Sequence, residues 1–255
     1  MTLHPDFLRI PIAHRGLHDA TAGIYENSMA AFEAAIAAGF GIELDLQVSK
    51  DGQPVVFHDY SLERLTKEKG AVAQTDLADL QRLTLLGSGE TIPSLEQVFS
   101  LVNGRVPLLI EFKDQDGIMG PNTGPLDQAV ADLLPHYHGP VAIMSYNPHA
   151  MAHMAQIAPN TPRGLVTSGF PEEDWPTIPN ARLAELRHIP DFARVDAAFI
   201  SHGAEHLGMP RVTELKNSGT PVICWTVRSP AEETAARKIA DNITFEGYLP
   251  NFQRH

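Results

Sequence analysis

A single cysteine, Cys224, in 255 residues excludes an internal disulfide framework and fits a reducing compartment. Positive charge is also scarce: 19 Lys and Arg face 31 Asp and Glu, a net charge of −12 with histidine neutral. A nucleic-acid partner would need basic side chains against its phosphates, so none is expected. Any phosphate bound here must be drawn by a local positive site. No uninterrupted apolar run reaches the roughly 18 residues of a spanning helix, and no stable membrane association is expected. The opening MTLHPDFLRIPIAHRG has no basic stretch followed by an apolar core, so no secretory leader is expected and the location is read as cytoplasmic. There is no Gly-x-Ser-x-Gly elbow, no glycine-rich phosphate loop and no dinucleotide fingerprint, which removes serine-hydrolase and nucleotide-dependent chemistry.

What is present is a globular composition, 43% hydrophobic and 20% charged, well away from disordered chains. At roughly 150 residues per domain the length allows one domain or two, but an α/β barrel uses about 250 as one unit. Apolar runs of β-branched character alternate with helix-like segments from end to end, which predicts parallel strands with helices outside. Strands are expected at Ile10–Ala13, Gly41–Leu46, Pro107–Phe112, Val141–Met144, Gly164–Val166, Ala198–Ile200, Val222–Trp225 and Asn242–Phe245. Helices are expected between them; the one at Met29–Ala38 has Ser28 placed to cap it and Gly39 to end it. Val55–Phe57 breaks the rhythm. A short connection containing Asp51-Gly52 precedes it, which permits only antiparallel pairing. The expected fold class is therefore α/β: a (β/α)8 TIM barrel, one domain over 1–255, with a small inserted subdomain after the second strand at about 58–106. Within the insertion, Thr75–Leu83 reads as a helix and Ser94–Phe99 as a capped helical segment. The proline-rich run Phe170–Pro179 reads as a surface loop.

In a parallel barrel, reactive side chains gather at the C-terminal ends of the strands. Glu43 and Asp45 lie two apart on one strand and so share a face. Turned towards the helices they would be buried without partners, at a cost of several kcal/mol or more; turned inward, with Glu111, they offer three hard oxygen ligands. Such a set suits Mg²⁺, Ca²⁺ or Mn²⁺ rather than Zn²⁺. The competing reading is an ion network with Arg15 or Lys113. Those two residues are also the local positive site a phosphate requires. His14 and His58, each at an expected strand end, could act as base and acid on either side of a phosphorus centre. His4, His18, His136, His138, His153, His188, His206 and His255 read as ordinary surface or loop residues.

Taken together, His14-Arg15-Gly16, Glu26-Asn27-Ser28 heading a helix with Ala31-Phe32, Gly41 to Leu46, Lys50-Asp51-Gly52, Val55 to Asp59 and Leu62 to Thr66 closely resemble the glycerophosphodiester phosphodiesterase family. The likeness continues through Ile92 to Glu96, Ile110 to Lys113 and Cys224 to Val227, nearly the whole chain. It implies metal-dependent hydrolysis of a small-molecule glycerophosphodiester to glycerol 3-phosphate and an alcohol, within lipid and glycerol metabolism, on a (β/α)8 barrel. His14 and His58 would be the acid–base pair, Glu43, Asp45 and Glu111 would hold one divalent cation, and Arg15 and Lys113 would hold the phosphate. By the same resemblance Glu26 would line the site, Asn27 would brace the first loop, and Trp225 would lie near the glycerol moiety. Ser145 and His202 are added from their strand-end positions alone.

Two departures stand out. Ser28 replaces the family's usual Thr, a benign exchange because both cap helices. The last strand reads Ile243-Thr244-Phe245-Glu246, with the acid one residue later than the family's Thr-Asp pair, so a differently shaped last loop is expected. Two other readings compete: cleavage of lysophospholipid or sphingomyelin-type lipids, and a non-catalytic barrel that binds phosphate-bearing ligands. The alcohol and the oligomeric state stay open.

Overall fold

The computed structural model describes residues 2–86 and 88–252; residues 1, 87 and 253–255, His255 among them, lie outside the described residues. Among the described residues nine strands form one sheet: β1 (Ile12–Ala13), β2 (Gly41–Val48), β3 (Pro54–Val56), β4 (Leu108–Phe112), β5 (Val141–Ser145), β6 (Arg163–Thr167), β7 (Phe199–Gly203), β8 (Val222–Val227) and β9 (Asn242–Phe245). All but β3 run parallel. Because β1 pairs with both β9 and β2, the eight parallel strands close into a barrel. β3 pairs antiparallel with β2, Leu46 opposite Val56, as the short Asp-Gly connection requires.

Helices cover the outside. They are α1 (Asp6–Arg9), α2 (Met29–Ala38), α3 (Leu77–Leu80), α4 (Leu95–Val102), α5 (Leu126–Leu133), α6 (Pro148–Ile157), α7 (Asn180–Leu186), α8 (Pro210–Asn217) and α9 (Pro230–Ala236). Strands sandwiched in this way are buried on both faces. β2 shows the division of labour: Ile42, Leu44 and Leu46 belong to the outer core that also holds Phe32 and Ala35 of α2, while Glu43, Asp45 and Gln47 take the alternate positions. Inside the barrel, Ile12, Leu109, Ala142, Met144, Val166, Phe199 and Ile223 form a separate core. Gly164 on β6 makes room there: a Cβ would lie 2.5 Å from the Phe199 ring.

Three local features differ from expectation. Ile10 ends α1 rather than starting the first strand, and α1 seals the bottom of the barrel, with Phe7 fully buried. Asn242 Nδ2 fastens it by donating to the carbonyls of Phe7 and Ile10 at 2.8 and 2.6 Å. The Thr75–Leu83 helix shrinks to the single turn α3 because Thr75 and Asp76 are extended. The Phe170–Pro179 run is more than a surface loop: Phe170 and Ile178 are buried with Met119, Leu183 and Leu186.

Residues after β3 have a small core of their own, from Phe57, Leu62, Leu65, Val72, Leu80, Leu85 and Ile92. α4 instead joins the barrel's helix layer through Leu95, Val98 and Val102. Ser94 and Gln97 start α4 with a reciprocal capping box. No helix among the described residues is long and apolar enough to cross a membrane.

Candidate active site

β1 runs into His14, and the next two residues turn left-handed, Arg15 at φ 56° and Gly16 at φ 79°. A Cβ at Gly16 would lie 2.9 Å from that of Ala31, so only glycine lets the turn rest on α2. The turn aims the Arg15 N–H at Glu43 Oε2, 3.0 Å away. Asn27, also left-handed and immediately before the Ser28 cap of α2, donates from Nδ2 to Asp45 Oδ2 at 2.8 Å. The brace thus lands on a carboxylate as well as on the loop.

Glu43 and Asp45 share the inward phase of β2, and Glu111 of β4 stands in register with Asp45. One oxygen from each lies within 4.8 Å of the other two, and all three residues are buried. Lys113 Nζ is 2.7 Å from both Asp45 Oδ1 and Glu111 Oε1, and Arg15 Nε is 3.3 Å from Asp45 Oδ2. Burial opposes the charge on Asp45, but Lys113, His58 and Arg15 outweigh it and hold the carboxyl well below the usual range. Glu43 goes the other way, pushed well up by burial and by the charges of Asp45 and Glu111. Its Oε1 is buried with no hydrogen-bond partner among the described residues. Three hard oxygens, one of them orphaned, form a donor set that fits a divalent cation. Arg15 and Lys113 thus pair with the acids while also lining the cavity.

Each candidate histidine carries a carboxylate on Nδ1. His14 Nδ1 is 2.7 Å from Glu246 Oε2, and His58 Nδ1 is 2.7 Å from Asp59 Oδ1. In both rings Nε2 remains for chemistry. Burial lowers the His14 pKa, and the bond to Glu246 only partly restores it. Asp59 also accepts from Arg64 Nε at 2.6 Å; Arg64 in turn grips Glu26, which accepts from Arg15 Nη1 at 2.7 Å. Burial opposes ionisation of Glu26, yet Arg64 and Arg15 bring it down to about 2.

His14, Arg15, Glu43, His58, Glu111, Lys113 and Trp225 line one cavity of about 200 Å³. Around it, six carboxylates (Glu26, Glu43, Asp45, Asp59, Glu111, Glu246) outnumber four permanent cations (Arg15, Arg64, Lys113, Arg228). With Glu43 ionised, that excess of two is what a divalent cation would neutralise.

Ser145 and His202 are not in this cavity. Each occupies the strand phase opposite its inward neighbour, Met144 or Ser201. Ser145 Oγ donates to the Phe112 carbonyl at 2.7 Å and accepts from the Asn147 N–H. His202 is fully buried, with Nδ1 2.7 Å from Thr167 Oγ1 and Nε2 3.1 Å from the His206 carbonyl. Burial brings its pKa down to about 4.

Several participants escaped sequence reasoning. Gln47 donates to the His58 carbonyl at 3.0 Å and accepts from Gln115, and its place two residues after Asp45 was a usable signal. Tyr146 lines the cavity, and His18, read as an ordinary loop residue, stands 3.8 Å from Glu246. The Arg64 link from Asp59 to Glu26 spans 38 residues and had no local signal.

The sequence model of the Glycerophosphoryl diester phosphodiesterase family matches residues 14–243. The glycerophosphodiester phosphodiesterase of Caldanaerobacter subterraneus is 32% identical over 174 residues, 64% of this chain and 69% of the other. Among solved structures, a phosphodiesterase from Oleispira antarctica in complex with the product sn-glycerol-3-phosphate matches with a TM-score of 0.73 at 25% identity, covering 93% of each chain. The Thermotoga maritima glycerophosphodiester phosphodiesterase shares the fold, with a TM-score of 0.69 at 20% identity over 93% of this chain and 94% of the other.

Proposed function

The chain belongs to the glycerophosphoryl diester phosphodiesterase family, and from that premise we propose that it hydrolyses a small glycerophosphodiester to glycerol 3-phosphate and an alcohol, with His14 and His58 as the acid–base pair. The observation that carries this reading is the pairing of each Nδ1 with a carboxylate, in two rings that line one cavity with Arg15 and Lys113. The product held by the Oleispira antarctica relative is of the same kind.

One imidazole takes the proton of the attacking hydroxyl, from water or from the neighbouring glycerol carbon, as its oxygen bonds to phosphorus. The other gives a proton to the alcohol oxygen as the P–O bond to the alcohol breaks; where the glycerol hydroxyl attacks, the cyclic phosphate so formed is opened by water in a second step, with the two imidazoles exchanging roles, to give glycerol 3-phosphate. Arg15 and Lys113 set positive charge against the non-bridging oxygens. Glu43, Asp45 and Glu111 would hold a divalent cation, which when bound supplies Lewis-acid stabilisation of charge on those oxygens.

The test is a panel of glycerophosphodiesters scored for glycerol 3-phosphate release, after chelation and after return of Mg²⁺, Ca²⁺ or Mn²⁺. His14→Ala and His58→Ala should each cost about 10²- to 10⁴-fold in rate with the fold intact. Full activity in both variants sinks the assignment. A lysophospholipid belongs in the panel because a second lobe of about 420 Å³ beyond His58 is walled by Tyr60, Met119, Tyr146 and Trp175. Turnover of that lipid faster than of every soluble diester would select the lipid reading; no turnover at all would leave a phosphate-binding barrel.

A further inference from the structure

On the other side of the phosphate cavity, past Trp225 and Arg228, lies a lobe of about 360 Å³. Its chemistry differs from that of the phosphate cavity. Three aromatic rings stand around Tyr146: Trp175 at 4.8 Å and 66°, Trp225 at 5.8 Å and 84°, and Phe170 at 5.8 Å and 74°. Tyr146 itself, Trp175 and Trp225 line the lobe, so much of its wall is aromatic. Trp225 Nε1 already donates to the Ser201 carbonyl at 3.1 Å, which removes it as a donor to a ligand.

Two carboxylates, Asp174 and Glu205, and the imidazole of His206 also stand in the wall. Neither carboxylate makes an ion pair among the described residues. Among the described residues the one permanent cation in the lining is Arg228, and its guanidinium is engaged: Nε is 2.7 Å from Glu246 Oε1 and Nη1 donates to the Thr226 carbonyl at 3.4 Å. The lobe therefore offers π faces and uncompensated negative charge, a combination that attracts an organic cation and repels an anion. A neutral polyol would gain little from either.

We propose that this lobe, which Trp225 shares with the phosphate cavity, is the subsite for the departing alcohol and not for the glycerol that the family resemblance sets beside Trp225, and that it selects an alcohol bearing an ammonium group. The proposal rests on the hydrolytic reading above for the identity of the substrate, but its binding part can be measured without turnover. Trp175 and Trp225 are the only tryptophans of the chain, so intrinsic fluorescence reports on this lobe.

The probes are choline and its uncharged carbon isostere, 3,3-dimethylbutan-1-ol, titrated separately into the protein. Choline should give a saturable fluorescence change with an affinity about tenfold or more above that of the isostere. Asp174→Asn with Glu205→Gln should erase most of that difference, and the same double variant should lose the preference for glycerophosphocholine over glycerophosphoglycerol in kcat/KM. Equal responses to the two alcohols, no response to choline, or a preference unchanged in the double variant would overturn the proposal. Choline binding without hydrolysis of any diester would instead overturn the hydrolytic reading and leave the subsite standing.

Discussion

Glu246 Oε2 lies 2.7 Å from His14 Nδ1, across 232 residues of sequence. The other oxygen of the same carboxylate accepts from Arg228 Nε at 2.7 Å. The bond from His14, with His18 close by and the charge of Arg228, keeps Glu246 ionised far below the usual carboxylate range. A carboxylate in this position sets the tautomer and orientation of the ring. Glu246→Ala should therefore lower kcat at least about tenfold with little change in KM, with Glu246→Gln intermediate. Steady-state kinetics decide it: an unchanged kcat would make the contact purely structural.

The cation site should respond to its own ligands. Because affinity for a hard cation follows the number of charged oxygens, Glu43→Gln and Glu111→Gln should each weaken divalent binding about tenfold or more in calorimetric titration. Binding unaltered in both variants would place the ion elsewhere.

Acid should loosen the fold through His202. Its pKa in the folded chain is about 4 against an ordinary 6.5, so below pH 6.5 the unfolded chain takes up a proton that the folded chain refuses. Stability is full above pH 6.5 and falls as the pH drops through the window to about 4, by about 3 kcal/mol. Chemical denaturation across that window should show a shallower slope for His202→Asn than for the parent; identical slopes would contradict the account.

Inside the barrel, Gly164→Ala should destabilise by about 1–3 kcal/mol, because the new methyl would strike the buried Phe199 ring. Denaturant midpoints would show it. A neutral substitution would mean that the ring has room to move.

Much of the architecture was legible in order. Alternating strands and helices, the Asp51-Gly52 turn and the Glu43–Asp45 spacing are local signals, and each reflects a period or a turn geometry carried within a few residues. Ser145 and His202 show where such signals mislead. Position at a strand end says nothing of phase, and one residue of shift moves a side chain from the barrel mouth to the helix layer.

By itself, then, the sequence determined the barrel, its family and the residue types of the site, since these follow from periodicity and short motifs. Only the tertiary structure decided the partnerships: Glu246 with His14, Arg64 between Asp59 and Glu26, Lys113 between Asp45 and Glu111. It also decided that the Phe170–Pro179 run brings Trp175 against Tyr146, beside Trp225, to wall a lobe at the mouth. The physical reason is closure. When eight strands curl into a ring, β9 meets β1, and residues more than 200 positions apart come within hydrogen-bond reach.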